Sequence, residues 1–166
     1  MTNITSCPTK PTQRRSAVSH EERNNIVAIM VNLVTNAYVI TRLRGMWASG
    51  AFDGPDALMI WARAVLWVIP IAIIGTIILT IVANIVFAIA TMDENPDFTV
   101  DERDRMFQMR GMVVTMIVAS FGYIGALIAL AIGWEAIIVF TLIYAAFAAG
   151  DLIGNLTKLV SYRIGA

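Results

Sequence analysis

The chain has 166 residues, 58% of them hydrophobic and 14% charged, and its twelve basic and twelve acidic side chains cancel. A soluble domain carries nearer a quarter charged residues, so the apolar excess is met by lipid, and the length allows one compact domain. Zero net charge gives no basis for direct nucleic-acid binding. The single Cys7 excludes an internal disulfide and the single His20 excludes multi-histidine metal or haem ligation within one chain.

Residues 1–18 are rich in Ser, Thr, Pro and Arg and lack the apolar core of a signal peptide. They read as a disordered cytoplasmic tail ahead of a membrane domain over 19–166. Cys7 is read as an exposed tail thiol, with palmitoylation as the alternative. The first span is predicted over about 26–47, with Asn32, Asn36, Arg42 and Arg44 inside or beside it. A loop from Ala48 to Asp56 follows, and Pro55 suits a first helical turn, where its missing N–H costs nothing.

The second span, about 64–90, is the longest apolar run. A bilayer core about 30 Å thick needs roughly 20 such residues. Its helix is expected to start near Asp56 and to kink at Pro70. Two cleaner spans follow, over about 111–132 and 136–156. Backbone in lipid must satisfy its own hydrogen bonds, so all four are helices. The fold class is therefore an all-α membrane protein, a four-helix bundle. Trp47, Trp61 and Trp67 read as an aromatic belt at the outer interface.

Nine of the twelve basic residues lie at the termini and in the central loop: Lys10, Arg14, Arg15, Arg23, Arg103, Arg105, Arg110, Lys158 and Arg163. That bias predicts both ends in the cytoplasm. Ser19-His-Glu-Glu22-Arg23 and Thr99-Val-Asp-Glu102-Arg103 repeat at a spacing of 80 positions and both match a capping box. In that motif Ser19 and Thr99 cap the helix while Glu22 and Glu102 reach back to the cap N–H. The plainer reading is two helix starts built alike; the sharper one is a duplicated helical hairpin.

Polar residues recur on each span: Asn32, Thr35, Asn36 and Tyr38; Thr76, Thr80 and Asn84; Thr115, Ser120 and Tyr123; Thr141, Tyr144, Asp151 and Asn155. Such groups normally point inward and bond neighbouring helices. The alternative is a polar path, with Asn84, Asp151 and Asn155 as its intramembrane site. Asp151 is placed a turn or two from the cytoplasmic end of its helix. It reads either as an interfacial carboxylate paired with Arg110, Lys158 or a backbone donor, or as a proton or cation site. Gly150 and Gly154, extended by Ala146, are expected to face Gly125, Ala129 and Gly133, with dimerisation as the alternative. Met106, Met109, Met112 and Met116 are expected to pack.

No Gly-rich phosphate loop, HExxH or G-x-S-x-G occurs. A protein without enzymatic activity and without a cofactor is expected. The segment from Asp93 to Arg110 mixes charges most densely at Asp101, Glu102, Arg103, Asp104 and Arg105. Held at a membrane, it suits a cytoplasmic protein partner; the plainer reading is a solvated loop.

Asp101-Glu-Arg-Asp-Arg105 before the third span, His20-Glu-Glu-Arg23 before the first and the terminal Tyr162-Arg-Ile-Gly165 carry a resemblance. Together they resemble a family of bacterial four-span membrane proteins of unknown function with a DERD-type motif before the third helix. The resemblance covers nearly all of the chain from Ser19 and implies a bacterial inner-membrane location. Met106-Phe-Gln-Met-Arg110 is less charged than it implies. Members of that family occur beside small helix-turn-helix regulators, which implies such a regulator as the cytoplasmic partner. The alternative function is a small transporter, or an ion- or proton-conducting oligomer, using Asp151.

Overall fold

A computed structural model describes residues 20–91 and 102–164 of the chain. The tail over 1–18, Ser19, Thr99 and Asp101 lie outside the described residues. Five helices follow in order: α1 His20–Ala48, α2 Ala57–Leu66, α3 Val68–Thr91, α4 Glu102–Ala131 and α5 Ala136–Ile164. No strand occurs among the described residues. Four helical stretches are long and apolar enough to cross a membrane: Glu22–Ala48, Ala57–Val86, Glu102–Ala131 and Ala136–Ile164.

The second stretch is α2 and α3 together, interrupted at Trp67. Pro70 has no N–H to offer the Leu66 carbonyl, so the ladder opens there. It resumes as the Ile71 N–H donates to the Trp67 carbonyl at 3.3 Å. Pro55 stands just before the helix rather than in its first turn, which opens at Ala57 with Asp56 as the N-cap residue.

Both hairpin turns close in the same way. Gly50 and Gly133 have φ of 70° and 91°. At Gly133, its own N–H donates to the Leu130 carbonyl at 3.1 Å and the Trp134 N–H to the Ala129 carbonyl at 3.0 Å. Gly50 and Ala51 make the equivalent bonds to Trp47 and Met46. These are Schellman closures, in which a left-handed glycine lets the last carbonyls of a helix find donors. Gly133 is thus a helix terminator and takes no part in helix packing.

Across the bundle the order is α3, α1, α5, α4, with α4 packed extensively on α5 and α1 packed on both α3 and α5. The α4–α5 contact is built from small residues. A Cβ added at Gly150 would stand 2.9 Å from the Thr115 carbonyl oxygen, and one at Gly154 would stand 2.7 Å from that of Gly111. Gly122 sits similarly tight against Ala146. On α5 the expected stripe of Ala146, Gly150 and Gly154 is the one used. On α4 the facing stripe is Gly111, Thr115, Ala119, Gly122 and Ala126, with Ala129 buried beside Val139. Gly125 is exposed, and a Cβ there would meet nothing within 4 Å. Both phases show small residues at helical spacing, but only one lets Gly111 meet Gly154 across an antiparallel pair. Thr115 fits this tight seam because its hydroxyl donates back to the Gly111 carbonyl at 3.1 Å.

Two further expectations change. Trp61 is buried with Ala57 and Ile137, and its Nε1–H donates to the Thr141 hydroxyl at 2.9 Å, so it ties α2 to α5. Of the three, Trp47 and Trp67 remain exposed in the manner of a belt, and Trp134 in the α4–α5 turn is exposed as well. Met106, Met109, Met112 and Met116 also face outward. Outward apolar side chains need no internal partner where the solvent is lipid.

Gly154→Val is expected to cost about 1–3 kcal/mol by overpacking against the α4 backbone. Gly125→Ala should stay within about 0.5 kcal/mol of wild type. Unfolding of the two variants in detergent micelles, followed by circular dichroism, checks the phase of the seam.

Candidate functional site

The face of α5 opposite the glycine seam carries Thr141, Tyr144, Asp151 and Asn155 at three- to seven-residue steps. A helix repeats every 3.6 residues, so these side chains rise along one stripe. α1 answers with Asn25, Asn32 and Asn36. The Asn32 amide donates to Asp151 Oδ2 at 2.8 Å and more weakly to the Ala148 carbonyl at 3.3 Å. Asn36 donates to Asn32 Oδ1 at 2.9 Å and to the Asn32 main-chain oxygen at 2.8 Å. The Tyr144 hydroxyl donates to Asn36 Oδ1 at 3.0 Å. From the other side, Asn155 donates to Asp151 Oδ1 at 3.2 Å, and Lys158 Nζ donates to Asn155 Oδ1 at 3.2 Å. The buried Asn25 amide donates to the Asn155 carbonyl at 2.7 Å.

Two chains of donors therefore converge on one carboxylate. The direction of each amide is fixed by a neighbour that cannot change role. Lysine only donates, so Asn155 presents its oxygen there and its NH2 to Asp151. Backbone carbonyls only accept, which sets Asn32 and Asn36 in the same sense. A carboxylate offers about four acceptor sites, and these amides occupy two of them.

Asp151 lies near the middle of the 29-residue α5, because that helix continues past Leu156 to Ile164. The expected position close to the helix end is thereby corrected. The expected pairing with Arg110, Lys158 or a backbone donor is replaced by side-chain amide donors, and Lys158 reaches Asp151 only through Asn155. Asp151 remains exposed toward an open groove of about 610 Å3 between α1, α3 and α5. Val27, Val31, Val68 and Ala72 form its apolar wall, while Asn32, Thr35, Thr76 and Thr80 add polar edges. Asn84, one turn past Thr80, is exposed and does not line the groove, so it leaves the site. Asn155 stays in it as the buried bridge to Lys158.

Asn25 was not singled out because it precedes the apolar run of the first span. Its signal was present, since Asn25, Asn32 and Asn36 fall on one helical face. Thr141 and Tyr144 do bond across helices, to Trp61 and Asn36, as a polar stripe in lipid should. Ser120 and Tyr123 on α4 are exposed.

A second cluster forms where α1, α4 and α5 reach the same end of the bundle. Phe107 is 2% exposed and meets the Tyr162 ring edge-on at 5.1 Å. The Arg103 and Arg110 guanidiniums lie 5.2 and 5.9 Å from its centroid. Arg163 Nε stands 3.8 Å from Glu22 Oε1. The segments Glu22–Arg23, Glu102–Arg105 and Tyr162–Arg163 are thus gathered together. Glu102, Arg103, Asp104 and Arg105 belong to the first turns of α4, not to a loop.

No protein-family model, no curated protein and no solved structure matches the chain. The geometry alone carries the functional argument. No group of three His, Cys, Asp or Glu side chains that could hold a metal ion occurs among the described residues. The groove offers one negative charge held by oriented amides beside an apolar wall.

In a double-mutant cycle, Asn32→Ala and Asp151→Ala should couple by about 0.6–1.7 kcal/mol, between the average and the maximum for hydrogen bonds between membrane helices. Asn84→Ala combined with Asp151→Ala should show no coupling. Reversible unfolding in bicelles measures both cycles.

Proposed function

We propose that this is a multi-pass protein of a bacterial inner membrane, without enzymatic activity, whose groove binds a small charged or polar solute for passage across the bilayer. The observation that carries the reading is Asp151, exposed to the groove yet held at both oxygens from two helices. A carboxylate within a span is costly and marks a pathway or binding site by default. The groove volume falls in the range of small-molecule sites, about 300–1,000 Å3. Four helices enclose little volume, so passage involves a homodimer. The bias of the basic residues toward the termini and the central segment supports a topology with both termini in the cytoplasm.

The test is flux in proteoliposomes under a solute gradient, lost in Asp151→Asn and kept in Asn84→Ala. Absence of flux in wild type for every solute tried would remove transport. Water access gives an independent measurement. In a Cys7→Ser background, Ala148→Cys should react with a membrane-impermeant maleimide, and Ile77→Cys, on the lipid-facing side of α3, should not.

A second reading follows from the gathered ends of α1, α4 and α5. Phe107, Tyr162 and the arginines around them build an ordered platform, on which a cytoplasmic partner such as a small transcriptional regulator docks. The charges of this segment are partly engaged internally, since Arg103 and Arg110 lie on Phe107. That engagement gives the groove precedence. Crosslinking from Arg105 in native cells is expected to capture a small DNA-binding protein if the platform serves this role, and only the chain itself if it does not.

A further inference from the structure

We infer that the groove between α1, α3 and α5 selects a monovalent organic cation with an apolar body, and this rests on the groove being a ligand site. Among its described lining residues Asp151 is the only one with a formal charge, and it is negative. Lys158 does not line the groove, and its ammonium is turned to Asn155. The field inside a low-dielectric cleft with a single carboxylate attracts one positive charge.

The rest of the lining argues against a bare metal ion. A hard divalent cation takes six or more oxygen ligands. Here the carboxylate is already bonded by two amide NH2 groups, and the Asn32 and Asn36 side-chain oxygens both accept hydrogen bonds within the chain. Val27, Val31, Val68 and Ala72 provide no coordination, but they do provide an apolar wall of the size a hydrocarbon or aromatic body would cover. The Tyr144 side chain adds an aromatic ring to the lining near the same charge. A weakly hydrated ammonium or phosphonium loses little on leaving water and gains the wall and the carboxylate together.

Equilibrium dialysis of the full chain in nanodiscs, with protein-free nanodiscs subtracted, tests this with three probes. Tetraphenylphosphonium carries the charge and the apolar body, tetraphenylborate the body with the opposite charge, and tetramethylammonium the charge alone. Saturable binding of tetraphenylphosphonium is expected, with tetraphenylborate not binding and tetramethylammonium much weaker. Asp151→Asn should weaken tetraphenylphosphonium binding by about thirtyfold or more, the loss expected when one member of a desolvated charge pair is removed. Ala72→Phe fills the wall and keeps Asp151, so it should also reduce binding while the circular dichroism spectrum is unchanged.

Equal binding of the phosphonium and the borate, or phosphonium binding indifferent to both variants, would overturn the inference. If tetramethylammonium binds as well as the phosphonium and depends on Asp151, the requirement for an apolar body is wrong and the inference is overturned, while the groove remains a cation site. If none of the probes binds saturably, the inference fails, and solute flux that still depends on Asp151 would show that the groove reading survives it.

Discussion

Hydrocarbon cannot hydrogen-bond, and that constraint organises this bundle around α5. The helix has two faces of opposite chemistry. Its glycines let the α4 backbone come within van der Waals reach, and its amides, hydroxyls and carboxylate require partners that lipid cannot supply. α1 supplies them. The order α3, α1, α5, α4 follows, because α5 can satisfy both demands only by standing between the two helices. The seam with α4 leaves no room for a Cβ at Gly111, Gly122, Gly150 or Gly154, while the polar seam with α1 is bridged by asparagine side chains. The groove opens on that side as a consequence.

The two seams also differ in what they contribute. Interhelical hydrogen bonds in membranes average only about 0.6 kcal/mol each, since the separated helices also find partners. The bonds from Asn25, Asn32 and Tyr144 therefore fix position and rotation more than they stabilise. Packing along Gly111, Ala119, Gly150 and Gly154 is the more extensive tie between helices. A helix pair held firmly on one flank and oriented by polar contacts on the other can place a carboxylate accurately without closing over it.

How much of this was legible in the residues depends on which property is asked for. Span number, the interruption near Pro70 and the inward polar stripe of α5 all follow from hydropathy and periodicity. The end of α5 did not. Charged residues such as Lys158 and Arg163 lower hydropathy without breaking a helix, so α5 runs beyond its apolar part, whereas α4 starts at Glu102, where the capping motif puts it. That extension moved Asp151 from the end of its helix to its middle. The phase of the α4 seam was also ambiguous, because Gly125 stands only about 40° round the helix from Gly111 and the residues on either side of that line are small. Only the partner helix chooses between them. Trp61 shows the same limit: an indole at a helix end looks like a belt residue until Thr141 is found opposite its N–H.

The polarity of the hydrogen-bond chain bears on which ion chemistry the groove suits. A proton relay needs each member to donate and accept in turn, so that a shift of one proton reverses every bond. Here Asn155 lies between a lysine that only donates and a carboxylate that accepts. Asn36 is held by the Asn32 backbone carbonyl, and Asn32 by that of Ala148. Reversal would set amide nitrogens against the Lys158 ammonium and oxygens against carbonyls, losing several bonds in a medium that replaces none of them. The chain therefore acts as a fixed cradle for a negative charge. Side chains held in these fixed senses do not pass a proton along their own length. The amides that make Asp151 tolerable in the bilayer are the same ones that leave its remaining acceptor capacity facing the groove lined by Ala72 and Val68.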